Sequence, residues 1–310
     1  MNLPSTLFGY IRRYSGAHQV ALAALSIVVF ALSAVPLELQ RRIVNDAIDK
    51  GEFKAILSLA VAYIAVTLVE GGTKLVLNIY RGWVSESAVR HLRRAALHAE
   101  SVHAARGLEL SMVLSEVEPV GGFVGVAVSE PLLQGGILLA VFGYMLYLQP
   151  MLAALSFLVF APQLVFVPLM QAAINRRVER RVLTMREVSD GIVREVQAAE
   201  FHHPRIDRVF SLHMGMFKLK YTMNFLMNLS HHVGVAAALA LGGWYVLHGQ
   251  IELGTVVAFI SGIDKLNDPW GDVVNWFRDM TVNRVKYRLL AAALRAPAHE
   301  QMPLVLGRAA

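Results

Sequence analysis

The densest chemistry in the chain lies between residues 264 and 275. Asp264, Lys265, Asn267, Asp268, Trp270, Asp272 and Asn275 interrupt an otherwise apolar stretch there. Asp264 and Asp268 are four apart and share one helical face, and Lys265 reaches Asp268 at a spacing of three. In hydrocarbon each charge would cost roughly 2.5–3.5 kcal/mol on insertion. These groups must therefore face an aqueous cavity, pair with one another, or lie below a membrane. Two readings follow: the polar wall of a substrate path, or an internal salt bridge near a cytoplasmic exit. Glu70 and Lys74 are also four apart and read either as an intrahelical pair or as part of a transport path. Glu130-Pro131 reads as the cytoplasmic start of a helix, because Pro fits a first helical turn.

Other clusters carry blander readings. Arg176, Arg177, Arg180 and Arg181 form two i,i+4 stacks suited to lipid headgroups. His202-His203 and His231-His232 do not make a metal site, since neighbours on a helix point about 100° apart and no Cys completes a ligand set. Gly121-x-x-x-Gly125 permits close helix approach.

Long apolar helices are needed to hold these residues. Of the 310 residues, 55% are apolar and 17% charged, against about 45–50% and about 25% in an ordinary soluble protein. Mean hydropathy is +0.49. The chain therefore reads as an all-α, polytopic integral membrane protein. It has no cysteine, which excludes disulfides, thiolate metal sites and thiol catalysis. The net charge of +6 is expected on cytoplasmic loops facing anionic lipid, not on a nucleic acid.

Charge-free runs place the spans at about 20–37, 55–80, 131–148, 150–174, 226–248 and 253–277, within a membrane domain of residues 17–290. The sixth is weak: it crosses only if the helix continues past Asp268 with its polar groups in a cavity. Residues 1–16 read as an interfacial elbow, and 291–310 as a tail or linker. Of the 29 Lys and Arg residues, 23 fall on the side of the termini and the two long loops, and 4 on the other. The termini and both long loops are thus expected in the cytoplasm, with a bacterial inner membrane as the expected location. Residues 84–105 and 174–200 lack strong breakers, so the spans should run on as helical legs. Gln149-Pro150 and residues 248–254 should close tight hairpins.

This order of spans, helical loops and short outside turns resembles the transmembrane domain of an ABC exporter. Gly107-Leu-Glu-Leu-Ser-Met-Val-Leu-Ser-Glu-Val-Glu118 resembles the family's first coupling helix, with Met112 where Arg is usual and Glu116 where Asp is usual. Leu266-Asn-Asp-Pro-Trp270 resembles the sixth-helix pattern, and residues 283–290 resemble the segment leading to a nucleotide-binding domain. The resemblance implies that Leu110, Ser111, Met112, Ser115, Glu116, Val117 and Glu118 couple to an ATPase, with Phe201, His202 and Arg205 at the second contact. The polar-wall reading puts Asp264, Lys265, Asn267, Asp268, Trp270 and Asn275, with Glu70, on the substrate pathway. The stretch from Leu92 to Gly107 is about two helical turns shorter than the family pattern, on the order of 12 Å. The second loop is also short around Phe201 to Pro204.

No phosphate loop, Gly-Lys dipeptide or LSGGQ-like signature occurs, so the chain has no recognisable ATP site and reads as no enzyme. The resemblance then puts ATP and Mg on a partner nucleotide-binding domain, and a second six-helix domain, identical or different, across the cavity. Transport would proceed by alternating access, outward. Two alternatives stand: an ATP-independent, proton-coupled carrier using Glu70, Asp264 and Asp268, and a degenerate exporter domain acting as a scaffold.

Overall fold

The computed structural model describes residues 4–48, 51, 53–100, 107–194 and 203–295. Among them every regular element is a helix: α1 (Leu7–Leu32), α2 (Val35–Arg42), a π-helical turn (Ile43–Ile48), α3 (Phe53–Glu100), α4 (Gly107–Val126), α5 (Ser129–Leu148), α6 (Pro150–Arg194), α7 (His203–Leu247) and α8 (Leu253–Arg295). Five stretches are long and apolar enough to cross a membrane: Leu7–Asp46, Phe53–Ala96, Ser129–Leu148, Pro150–Val178 and Pro204–Leu247. The protein is a membrane protein by this measure, and α8 is not among the five. Its 43 residues nevertheless form one helix straight through Pro269.

The helix ends follow local chemistry. Thr6 caps α1 by accepting the Gly9 N–H at 3.1 Å, as N-terminal donors require. Ser15 leaves the helical region (φ −127°), and its hydroxyl donates back to the Ile11 carbonyl at 2.9 Å. A Ser-Gly pair with such back-bonding is a common kink. It divides residues 7–14 from the rest of α1, where the elbow was expected. Helix α1 stops at Leu32, inside the first span drawn from sequence. Ser33 donates its hydroxyl to the Phe30 carbonyl at 2.6 Å, and Pro36 restarts the chain as α2 because Pro is tolerated in a first turn. The α7–α8 turn closes with Gly249 at φ +65°. Gly249 N donates to the Val246 carbonyl at 3.0 Å and Gln250 N to the Tyr245 carbonyl at 2.9 Å, a Schellman cap.

The chain divides into two compact units. The first comprises residues 1–39, 57–141 and 268–310. Helices α3 and α4 meet through glycines: a Cβ on Gly121 would lie 2.8 Å from the Val89 nitrogen, and one on Gly125 would overlap the Arg81 carbonyl oxygen. The close approach expected of Gly121 and Gly125 is therefore made against α3. Ser85 reinforces it by donating to the Gly122 carbonyl at 2.9 Å. Below it, Tyr10 stacks on Tyr14 and packs against Tyr287, with ring centroids 5.5 Å apart in both pairs. The Tyr10 hydroxyl meets His91 Nδ1 at 3.1 Å. Tyr287 ties α8 to the N-terminus by donating to the Pro4 carbonyl at 2.8 Å. Within this unit the apolar first half of α3 is uncovered: Leu57, Val61, Ile64, Leu68, Leu75 and Ile79 are all exposed.

The second unit comprises residues 40–56 and 142–267. Helices α6 and α7 pair along their length, and glycines again let neighbours in. Gly242 faces Val256, and Gly254 packs on the Arg41 carbonyl and Asn45. Asn45 Oδ1 accepts the Gly254 N–H at 2.6 Å, while its Nδ2 donates to Glu252.

Candidate functional site

In the first unit, α3, α5 and α8 bring ionisable side chains together among apolar helices. Helix α4 sets this up. Its glycine contact with α3 puts the turn at residues 127–128, and hence the start of α5, beside Arg81. The Arg81 side chain is 8% exposed and ion-pairs with Glu130 at 2.5 Å. Its Nε donates to Ser129 Oγ at 2.8 Å, and that hydroxyl donates in turn to the Gly125 carbonyl at 3.1 Å. One turn along α5, Gln134 Nε2 donates to Glu130 Oε1 at 2.8 Å and to Asp272 Oδ2 at 2.9 Å. Asp272 also lies in the electrostatic field of Asp268 and Lys74.

The charges are unequal. Glu130, Asp268 and Asp272 are three carboxylates, set against two cations, Lys74 and Arg81. Two of the carboxylates share one amide, so a proton or a ligand cation would complete the balance. Arg81 Nη2 is buried without a hydrogen-bond partner among the described residues. Buried polar groups are almost always paired, so the unpaired guanidinium nitrogen beside unequal charge makes this the first unit's candidate site.

The structure distributes the sequence-drawn pathway between the two units. Asp268, Trp270 and Asn275 belong to the first, with Glu70. Asn275 is exposed, and the Trp270 Nε1 is buried and unpartnered among the described residues. Glu70 has a partner of its own. Asp264, Lys265 and Asn267 belong to the second unit. There Asp264 pairs with His231 Nε2 at 3.1 Å, Lys265 has a partner of its own, and Asn267 Oδ1 is buried without one among the described residues. Among the described residues no group of three His, Asp or Glu side chains could hold a metal.

Leu110, Ser111, Met112, Ser115 and Glu116, which the resemblance assigns to coupling, lie in the first half of α4. Val117 is fully buried, and the exposed Glu118 pairs with Arg93 at 3.5 Å. Arg205 lies in the first turn of α7 and has a partner. Phe201 and His202 lie outside the described residues.

Sequence spacing alone does not mark Arg81, Ser129, Glu130 or Gln134 as pathway residues: Arg81 directly follows the apolar run that ends at Tyr80, and Gln134 carries no charge. A signal was present all the same. Glu70, Lys74 and Arg81 are spaced i, i+4 and i+11, which is one face of a helix. No known protein family matches the chain, and no curated protein matches it either.

Proposed function

We propose that the chain is the membrane-spanning half of an exporter-type, ATP-driven transporter. Helix length is the observation that carries this reading. Helices α3, α6, α7 and α8 have 48, 45, 45 and 43 residues, about 65–72 Å each at 1.5 Å per residue. A hydrocarbon core takes up only about 30 Å. Each helix therefore has more than 30 Å to spare, the reach needed to carry motion between a membrane pathway and an ATPase beneath it. In this reading α8 is a sixth crossing, its polar residues line the pathway, and a second such domain completes the cavity. ATP and Mg bind on the partner ATPase, whose closure rocks the helices between inward and outward openings. Alternating access then moves the substrate out.

The test is purification of the tagged chain from its own membrane, with its companions identified by mass spectrometry and assayed for ATPase activity. A stoichiometric partner bearing a phosphate loop is expected. A lone chain without ATPase activity would refute the proposal.

The buried cluster of Arg81, Glu130, Gln134 and Asp272 favours a second reading, a proton-coupled carrier. Its unequal charge gives a proton somewhere to bind without any nucleotide. Uptake into vesicles driven by a pH gradient alone, and abolished by Asp272→Asn, would support this reading over the first.

A further inference from the structure

Helices α6, α7 and α8 meet inside the second unit at Gly234. A Cβ there would lie 3.8 Å from Val159 and 3.7 Å from Ile263. One helical turn along each element from this layer come Gln163 on α6, His231 on α7 and Asn267 on α8. All three carry buried polar atoms without partners among the described residues: both amide atoms of Gln163, His231 Nδ1 and Asn267 Oδ1. Gln163 is 0% exposed. It sits 13 residues past Pro150 in the sequence, about 20 Å along α6, deep in a hydrocarbon core. Buried polar groups are almost always paired, so orphans on three side chains in one layer point to an occupant that pairs them.

The chemistry of the layer selects that occupant. A carboxylate cannot donate, so His231 Nε2 carries the proton in its 3.1 Å contact with Asp264. In a neutral ring this leaves Nδ1 as an acceptor. Gln163 Oε1 and Asn267 Oδ1 are acceptors too, Gln163 Nε2 is the one orphaned donor of the layer among the described residues, and Asp264 adds a negative charge on a side chain 59% exposed. Lys265, the adjacent cation, has a partner of its own. An anion would meet carboxylate and lone pairs. A protonated amine brings three N–H donors and a positive charge.

We propose that Asp264, His231, Asn267 and Gln163 form an intramembrane site for the ammonium group of an amphipathic amine. The site needs no nucleotide, so its binding is independent of how transport is powered.

The test uses the full chain in phosphatidylcholine nanodiscs, titrated with a dansyl-tagged dodecyl primary ammonium. Saturable binding above the partition into empty nanodiscs is expected. The trimethylammonium counterpart keeps the charge but has no N–H, and should bind at least about tenfold more weakly, as charge-assisted hydrogen bonds demand. Asp264→Asn should weaken the primary amine by a similar factor. Gln163→Leu should weaken it too, while raising the thermal midpoint of the empty protein because it removes an orphaned amide. That opposite movement separates a ligand group from a structural one. Binding that does not saturate, or that is unchanged by Asp264→Asn and by methylation of the amine, overturns the proposal; the layer then holds only water.

Discussion

The pairing of Arg81 with Glu130 makes a quantitative prediction. Take Arg81→Met, Glu130→Leu and the double variant. Two unit charges about 4 Å apart interact by about 4 kcal/mol at an effective dielectric of 20, and removing one partner of a buried pair costs about 3–5 kcal/mol. The two single variants should not be equal. Without Arg81, the carboxylates of Glu130, Asp268 and Asp272 face Lys74 alone. Without Glu130, Arg81 still lies in the field of Asp272. Arg81→Met should therefore be the more damaging. The double variant removes both desolvated charges. Ser129 keeps its bond to Gly125 and Gln134 its bond to Asp272, so the cost should fall to about 1 kcal/mol. Thermal unfolding in detergent reads this out. At about 2 °C per kcal/mol for a chain of this size, Arg81→Met should lower the midpoint by about 6–10 °C and the double variant by about 2 °C. Additive losses in the double variant would refute the reasoning, since uncoupled residues add. A double variant that is stable but transports nothing would show that the cluster serves transport and not only folding.

Further predictions follow from other contacts. Gly125→Leu forces a side chain into the Arg81 carbonyl and should cost at least about 1–3 kcal/mol, seen as a lower midpoint, whereas Gly122→Leu, with open space around it, should leave the midpoint nearly unchanged. Asn45→Ala orphans the buried Gly254 N–H and should cost about 1–3 kcal/mol in the same assay.

The helical architecture was legible in the sequence because it rests on run length and breakers, which are local. The Gln149-Pro150 and Gly249 hairpins needed only turn chemistry, and the legs beyond Tyr80 and Asn175 needed only the absence of breakers. The stop at Leu32 was harder. Ser33 and Ala34 are compatible with helix, and only Pro36 two residues on hints at the break. The polar cluster was less legible still. Its members come from α3, α5 and α8, far apart in sequence, and what joins them is the α3–α4 glycine contact. Asp264 and Asp268 read as sharing one helical face, because spacing alone relates them. Their partners, His231 for Asp264 and the Gln134 cluster for the neighbourhood of Asp272, are set by tertiary packing that no spacing rule contains.

Whether α8 crosses the membrane decides the topology, and charge parity makes the question sharp. Its hydropathy falls short because Asp264, Lys265, Asp268 and Asp272 lie within 20 residues of its start. Hydropathy scores each residue as if alone in lipid, but two of these carboxylates have partners: Asp264 has His231, and Asp272 has Gln134. Satisfied groups cost much less than the scale assumes. The basic residues weigh in the same direction. If α8 stayed outside, the six Lys and Arg residues after Trp270 would lie on the side that otherwise holds only four, against the usual bias of basic residues to the cytoplasm. An even number of crossings is therefore expected, with both ends in the cytoplasm. Green fluorescent protein and alkaline phosphatase, fused in turn after Ala310, read this directly. Fluorescence without phosphatase activity is the expected result. Phosphatase activity without fluorescence would leave five crossings, and with them no exporter-like pathway along α8.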